Sequence, residues 1–256
     1  MSLRINQNVA ALNAYRNLSA SNTALGKSLE KLSSGFRINR AADDAAGLVK
    51  SENLRAEIRG SQQAVRNAQD GVSFVQTAEG ALNEVHSILQ RMRELAVDAA
   101  NTATTDGVAQ QAEVDELLAE ITAIGSDTTF AGKTVFTNYT SATLTFQVGA
   151  NAGDVLDINR DLSMTAASLV GTVVLTTGAG ASSAIDAIDT AIDTIGTTRG
   201  VLGATQNRLE HTISNLNVAI ENLTASESRI RDADMALEMA SFTRNQIMVQ
   251  AGTAML

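Results

Sequence analysis

The sequence contains no cysteine, no proline and no tryptophan, and aromatic residues make up only 3% of it. Without cysteine there is no disulfide, no thiolate metal site, no iron–sulfur cluster and no cysteine nucleophile. Without proline nothing interrupts a long helix, since each internal proline would cost ~3 kcal/mol. With so few aromatics the core must rest on Ala, Leu, Ile and Val, which suits helix against helix better than a globular pocket. Positive charge is also short. A formal charge of −9 over 256 residues argues against nonspecific nucleic-acid binding and against docking on an anionic membrane. No run of 18 apolar residues is present, so no transmembrane helix is predicted. Met1-Ser2-Leu3-Arg4-Ile5-Asn6 lacks the apolar stretch of a secretory signal peptide. By composition alone the chain reads as a cytosolic coiled-coil protein.

What is present is a seven-residue beat. Ile188, Ile195, Leu202, Leu209, Leu216, Leu223, Ile230 and Leu237 fall on it, with Ile185, Ile192, Ile213 and Ile220 three residues ahead. Apolar residues alternating every three and four places form the seam of a coiled coil. The pattern runs for about fifty residues, a rod of roughly 80 Å at ~1.5 Å per residue, where a globular helix usually stops within about 20. A second helix of similar length is predicted from a cap at Asp43 or Asp44 to about Asn101. Its seam takes Ile58, Val65 and Val72, then Val75, Leu82, Leu89 and Ala96, and the change of phase near Val72 predicts a stutter. Two rods of matched length pair most simply antiparallel. A shorter helix over about 107–124 is expected to fold back alongside them.

At the start of the chain, Ile5, Val9, Leu12, Leu25, Leu29 and Leu32 recur at helical spacing among Asn, Ser, Ala and Thr, up to a stop at Gly35. Such a helix has modest propensity and is marginal alone. From about residue 128 the period changes to two. Thr143-Leu144-Thr145-Phe146-Gln147-Val148 and Val155-Leu156-Asp157-Ile158, separated by a turn-rich stretch, predict a small hairpin or two. Residues 169–177 are a further β-branched run, and Gly178-Ala179-Gly180 reads as a loop before a cap at Ser182 or Ser183. Past a break at Asp232-Ala233-Asp234, Met235, Met239, Phe242 and Val249 share one side of a last helix. The predicted fold is mainly α: an elongated antiparallel coiled-coil rod of long helices, a small β-hairpin insert, and helical N- and C-terminal segments. The boundaries are 1–42 and 233–256 for the terminal segments, 43–127 and 184–232 for the rod, and 128–183 for the insert and a short variable region.

Chemistry is sparse. His86 and His211 lie far apart in sequence with no glutamate–histidine zinc motif around them, which suits solvent-facing or seam-flanking positions. Asp186, Asp189 and Asp193 share one helical face, and acids suit an ordinary solvated face near a helix N-terminus. Gly178-Ala179-Gly180 lacks the lysine and strand context of a phosphate loop, and no Gly-x-Ser-x-Gly elbow is present. Asn138-Tyr139-Thr140 fits a glycosylation sequon. No catalytic, cofactor or metal-binding residue is assigned. The two terminal segments point elsewhere. Each is amphipathic and marginal, and such segments order when a partner supplies the other side. Ile5, Val9, Leu12, Leu29, Leu32, Met239, Phe242 and Val249 are therefore candidates for packing between copies of the chain, the alternative being that the segments simply pair within one chain.

Several long motifs, in order, carry a resemblance. Leu3-Arg4-Ile5-Asn6-Gln7-Asn8, Ser33-Ser34-Gly35-Phe36-Arg37-Ile38-Asn39 and Ala41-Ala42-Asp43-Asp44-Ala45-Ala46-Gly47 stand at one end. Leu202-Gly203-Ala204-Thr205-Gln206-Asn207-Arg208-Leu209, Asn222-Leu223-Thr224, Ser228-Arg229-Ile230-Arg231-Asp232-Ala233-Asp234 and Gln250-Ala251-Gly252-Thr253-Ala254-Met255-Leu256 stand at the other. Together they resemble bacterial flagellin over nearly the whole chain outside 165–183. The resemblance implies an extracellular filament subunit, exported unfolded through the flagellum's own secretion apparatus with a secretion chaperone and polymerised at the filament tip. Its implied partners are further copies of itself, the filament cap and the hook-junction proteins. The short interval between the hairpins and the C-terminal rod implies core domains alone, with terminal helices lining the filament interior.

Gln90-Arg91-Met92-Arg93-Glu94-Leu95 resembles the segment by which a Toll-like receptor senses many flagellins, and Glu113 lies where a second contact would fall. This makes Gln90, Arg91, Glu94, Leu95 and Glu113 the candidate recognition residues. The family usually continues past the point where this sequence stops, so a trimmed or shortened end is expected. A hook–filament junction protein is the nearest rival. A coiled-coil signalling hairpin would add a membrane span or adaptor domain. An enzymatic flagellin would need a metalloprotease motif in an insert that here has no histidine.

Overall fold

The computed structural model describes residues 9–103, 106–136, 144–158 and 165–255. In chain order these form α1 (Val9–Ser34), α2 (Ala45–Ala99), α3 (Val108–Asp127), β1 (Thr129–Phe130), β2 (Lys133–Thr134), β3 (Leu144–Gln147), β4 (Val155–Ile158), α4 (Ala166–Leu169), α5 (Gly178–Arg231) and α6 (Met235–Met255). Local chemistry sets the helix ends. Gly35, in the left-handed region at φ 74°, stops α1. Asp44 starts α2 by accepting the Gly47 N–H at 2.9 Å. The helix α5 begins one turn before the serines that the sequence offers as caps. Thr177 serves instead: its Oγ1 accepts the Gly180 N–H at 3.2 Å and its carbonyl accepts the Ala181 N–H at 2.8 Å. Gly178-Ala179-Gly180 thus forms a first helical turn, and a side chain on Gly180 would run into the Val174 carbonyl.

The chain divides into two compact units, Met1–Arg59 with Ala219–Leu256, and Gly60–Val218, so that α2 and α5 contribute to both. In the second unit α2 and α5 run antiparallel. Arg93 pairs with Asp189 at 2.6 Å, Glu79 with Arg199 at 3.5 Å, and Gly71 faces Leu209. The buried line of α2 is Ala64, Ala68, Gly71, Val75, Ala78, Leu82, Val85, Leu89, Met92, Ala96 and Ala99. This alternation of four and three is unbroken, so the stutter expected near Val72 is absent from it. Ile58, Val65 and Val72 are half-buried flanks. The same holds on α5: Ala184, Ile188, Ala191, Ile195, Leu202, Thr205 and Leu209 are buried, while Ile185 and Ile192 flank them half-buried. Small residues occupy the line where a partner's bulk comes in. At Gly71 an added Cβ would lie 3.2 Å from Leu209 and 3.4 Å from Phe146.

Two antiparallel hairpins cover this core. In the first, Phe130 pairs with Lys133 across Ala131 and Gly132, both with positive φ, as a two-residue turn matched to strand twist requires. In the second, Leu144 pairs with Ile158 and Phe146 with Leu156 on the inner face, and Thr145 and Gln147 alternate outward. Phe74 joins both hairpins, with ring centroids 5.9 Å from Phe130 and 6.0 Å from Phe146. Residues 169–177 form no strand. Val170, Val173 and Leu175 are buried there, and Gln111 takes the place of a strand partner. Its amide donates to the Val173 carbonyl at 3.1 Å and accepts the Leu175 N–H at 2.6 Å.

Candidate assembly surface

In the first unit α1 and α6 pack against one another antiparallel, with Leu18 seated in the notch left by Gly252. The residues they turn toward each other are mostly small or polar. On α1 these include Ala11, Ala14, Leu18, Ser21, Leu25 and Ser28, and on α6 Glu238, Ser241, Phe242, Asn245, Val249 and Gly252. The bulk points outward. Val9, Leu12, Tyr15 and Leu29 of α1 are exposed, as are Met235, Leu237, Met239, Ile247 and Met248 of α6. Leu237 reaches 68% exposure, because the break before α6 removes it from the seven-residue beat of α5. The other exposed large apolar side chains among the described residues are all valines. Scattered valines are ordinary surface, whereas Leu, Met, Ile and Tyr concentrated on one helix pair mark an interaction face.

Of the candidate packing residues, Val9, Leu12, Leu29 and Met239 are exposed, and Leu32, Phe242 and Val249 are half-buried between the helices. Ile5 lies outside the described residues. Met235, Met239, Phe242 and Val249 share one side of α6 at ~100° per residue, the two methionines at its exposed edge and Phe242 and Val249 half-buried nearer α1. The outward apolar residues of α6 spread around its circumference, Met235 and Met239 on one flank, Leu237 and Met248 on another, Ile247 between. Apolar side chains spread this widely give α6 more than one apolar strip to offer a neighbour.

The two chain breaks of this unit are clasped together. Phe36 and Asp232 form an antiparallel bridge, the Arg37 N–H donates to the Arg231 carbonyl at 2.7 Å, and the Ala233 N–H donates to the Gly35 carbonyl at 3.0 Å. The Arg37 guanidinium donates to the Ile230 carbonyl at 2.6 Å. The Arg231 guanidinium lies 4.6 Å over the Phe36 ring and donates to Glu52 at 3.0 Å. In the adjoining link, Asp43 accepts the N–H groups of Arg40 at 3.1 Å and Asn39 at 3.2 Å, and these hold its pKa below the usual carboxylate range. Sequence reasoning found both breaks but not the clasp. Its only signal was an arginine standing beside each break, Arg37 at the first and Arg231 at the second.

On the second unit, Ile188, Ile195, Leu202 and Leu209 are buried and Leu216 half-buried; Leu223 and Ile230, in the first unit, are also half-buried. Gln90, Arg91, Glu94 and Glu113 are exposed. Arg91 donates to Glu113 at 2.8 Å and to Glu94 at 3.2 Å, and these hydrogen bonds, Glu113's first, raise its pKa. Leu95 lies beneath them at only 7% exposure. Asp189 is engaged by Arg93, and His211 falls opposite the turn around Gln69, far from His86 in the antiparallel register. The His86 Nε2 lies 3.0 Å from the Gln90 amide nitrogen.

Comparison with known proteins decides what this surface belongs to. A family model described as the bacterial flagellin N-terminal helical region matches residues 5–141, and one described as the C-terminal helical region matches residues 185–256. The chain is 51% identical to a flagellin of Halalkalibacterium halodurans, over 98% of this chain and 94% of that protein. It is 46% identical to a flagellin of Bacillus subtilis, over 99% and 95%. The chain belongs to the bacterial flagellin family. The crystal structure of Bacillus cereus flagellin is similar in fold, with a TM-score of 0.51 and 32% identity, covering 59% of this chain and 88% of that one. The function follows from the family: a structural subunit of the extracellular bacterial flagellar filament, which serves motility. It is a short form, with no large variable domain between its hairpins and α5.

Proposed function

We propose that the outward apolar faces of α1 and α6 are the contacts by which copies of this chain hold the filament together. One observation carries this: the pair turns mostly small and polar residues inward and Leu12, Tyr15, Leu29, Leu237, Met239 and Ile247 outward. Burying each such side chain between copies contributes about 1.5–3 kcal/mol, and repetition along an open helix that never closes builds a polymer. In this assignment residues 1–42 and 233–256 line the filament interior, 43–127 and 184–232 are the helical segments around them, and 128–183 forms the hairpin cover. A helix as apolar as α6 needs cover before assembly, which supports a secretion chaperone alongside the export apparatus, and the cap and hook-junction proteins as further partners. No residue is assigned a catalytic role. The test is a Leu12→Asp, Ile247→Asp double variant seeded with filament fragments. Unchanged helical circular dichroism with no elongation is the expected result, and filaments of normal length would overturn the assignment.

A second role is favoured by a specific observation. Gln90, Arg91, Glu94 and Glu113 stand exposed together, with Arg91 already oriented by both glutamates. We propose this face as the one sensed by the Toll-like receptor, with the buried Leu95 supporting it from below. An Arg91→Ala, Leu95→Ala double variant should signal much more weakly in receptor-bearing cells. Undiminished signalling by a folded variant would refute this.

A further inference from the structure

We infer that Met235, Met239 and Met248 form an oxidation-sensitive modification site, at which conversion to the sulfoxide bars a free subunit from the filament. The inference rests on the packing role of α6 proposed above. The sequence has seven methionines, and four of their side chains are described. Met92 is at 0% exposure in the core of the second unit, whereas Met235, Met239 and Met248 are about half exposed on α6. Met235 and Met239 are one turn apart. Met248 follows Met239 by nine residues, which at ~100° per residue puts it on nearly the opposite side of the helix. Two different neighbouring contacts would therefore each meet a thioether.

The chemistry is that of a soft, exposed sulfur. A thioether attacks the terminal oxygen of hydrogen peroxide, forming an S–O bond as the O–O bond breaks and the leaving hydroxide departs as water after proton transfer. Sulfur is oxidised by two electrons and the peroxide is reduced. The product replaces a flexible apolar side chain with a strong hydrogen-bond acceptor. On a free subunit water satisfies that acceptor, so the fold is unaffected. In an apolar contact with a second copy nothing is bound to satisfy it, and the contact is lost. Once a copy is assembled, the same contacts cover the sulfurs. Susceptibility then belongs to the unassembled subunit, and Met92 is an internal control that stays reduced in both states.

The test treats the folded full chain with hydrogen peroxide, maps the sulfoxides by peptide mass spectrometry, and measures elongation from filament seeds. Oxygen should appear at Met235, Met239 and Met248 but not at Met92, with helical circular dichroism retained and elongation about tenfold lower or worse. Reduction by a methionine sulfoxide reductase should restore elongation. A Met235→Leu, Met239→Leu, Met248→Leu variant should keep elongating after peroxide. Oxidised chain that elongates at the untreated rate would overturn the inference. So would lost elongation that reduction of these three sulfurs fails to restore, or loss accompanied by unfolding. Untreated chain that never elongates from seeds would instead remove the packing role of α6 beneath it.

Discussion

Gly107 meets two demands that no other residue type satisfies. Its φ is +72°, and a Cβ there would run into the carbonyl of Leu175. Gly132 has φ +77° but open space around it, and Gly80 sits in open space within the regular helix α2. The three give a graded test within one unit. Gly132→Ala should cost about 1–2 kcal/mol, from left-handed strain alone. Gly107→Ala should cost more than that, since a backbone carbonyl cannot step aside as a side chain can. Gly80→Ala should stabilise, by about 0.5–1 kcal/mol. Urea midpoints at constant m-value would check the order, and equal losses at Gly107 and Gly132 would show that the Leu175 contact is soft. Asp106-Gly107 reads as a turn dipeptide at the start of a helix, while Gly80 lies inside one, so the difference in conformation is legible. What the sequence does not show is that the stretch before α5 brings the Leu175 carbonyl against Gly107, a tertiary fact.

Between elements, period was easier to read than phase. Both long helices are legible from a seven-residue beat, of Ile and Leu on α5 and of Ile, Val, Leu and Ala on α2. On α5 the buried line is the one read from sequence, and on α2 it runs through Val75, Leu82, Leu89 and Ala96 as read. Only before them is it displaced, where Ala64, Ala68 and Gly71 take the buried places while Ile58, Val65 and Val72 flank them. Hydrophobicity ranks Val above Ala, so pattern reading follows the flank, whereas packing ranks positions by the room a partner leaves. Ile195→Ala should therefore cost about 2–5 kcal/mol by cavity formation. Ala78→Ile should destabilise by about 1–3 kcal/mol through overpacking, although it adds apolar surface. A stabilising Ala78→Ile in guanidinium titration would show that the partner leaves room for the larger side chain.

The link before α2 carries a pH signature of known sign. The Asp43 carboxylate is favoured by two backbone N–H groups, so its folded pKa lies below the unfolded value. Its contribution is present above the ordinary carboxylate range and is lost as pH falls through the lowered folded value. The group is exposed, so the effect is small. The loss of melting temperature between neutral and strongly acidic solution should be smaller in Asp43→Asn than in the unaltered chain. An identical loss would mean that these hydrogen bonds do not favour the charged form.

Across the whole molecule the two units differ in what holds them. The second has Leu82, Leu89, Ile188 and Ile195 all at 0% exposure in one apolar cluster. In the first, Ser28 is the one buried residue of α1, and none of the described side chains of α6 is buried. That the terminal helices pair within one chain was legible only as the alternative to packing between copies. Which stripe each turns to the other was not, because periodicity shows that stripes exist without saying whether a partner in the same chain or in the next one covers them. The structure gives the intrachain pair mostly small and polar residues, with Leu18, Leu25, Phe242 and Val249 among them, and leaves Leu12, Leu237 and Ile247 outward. A pair that buries so little opens easily, so in the free subunit the amides of α1 and α6 should exchange on the order of a thousandfold faster than those around Leu89. In filaments they should slow toward the same rate, as copies cover Leu12, Leu237 and Ile247. Termini that already exchange as slowly as Leu89 in the free subunit would mean that the intrachain pair is stable alone, and that the outward faces are not what orders it.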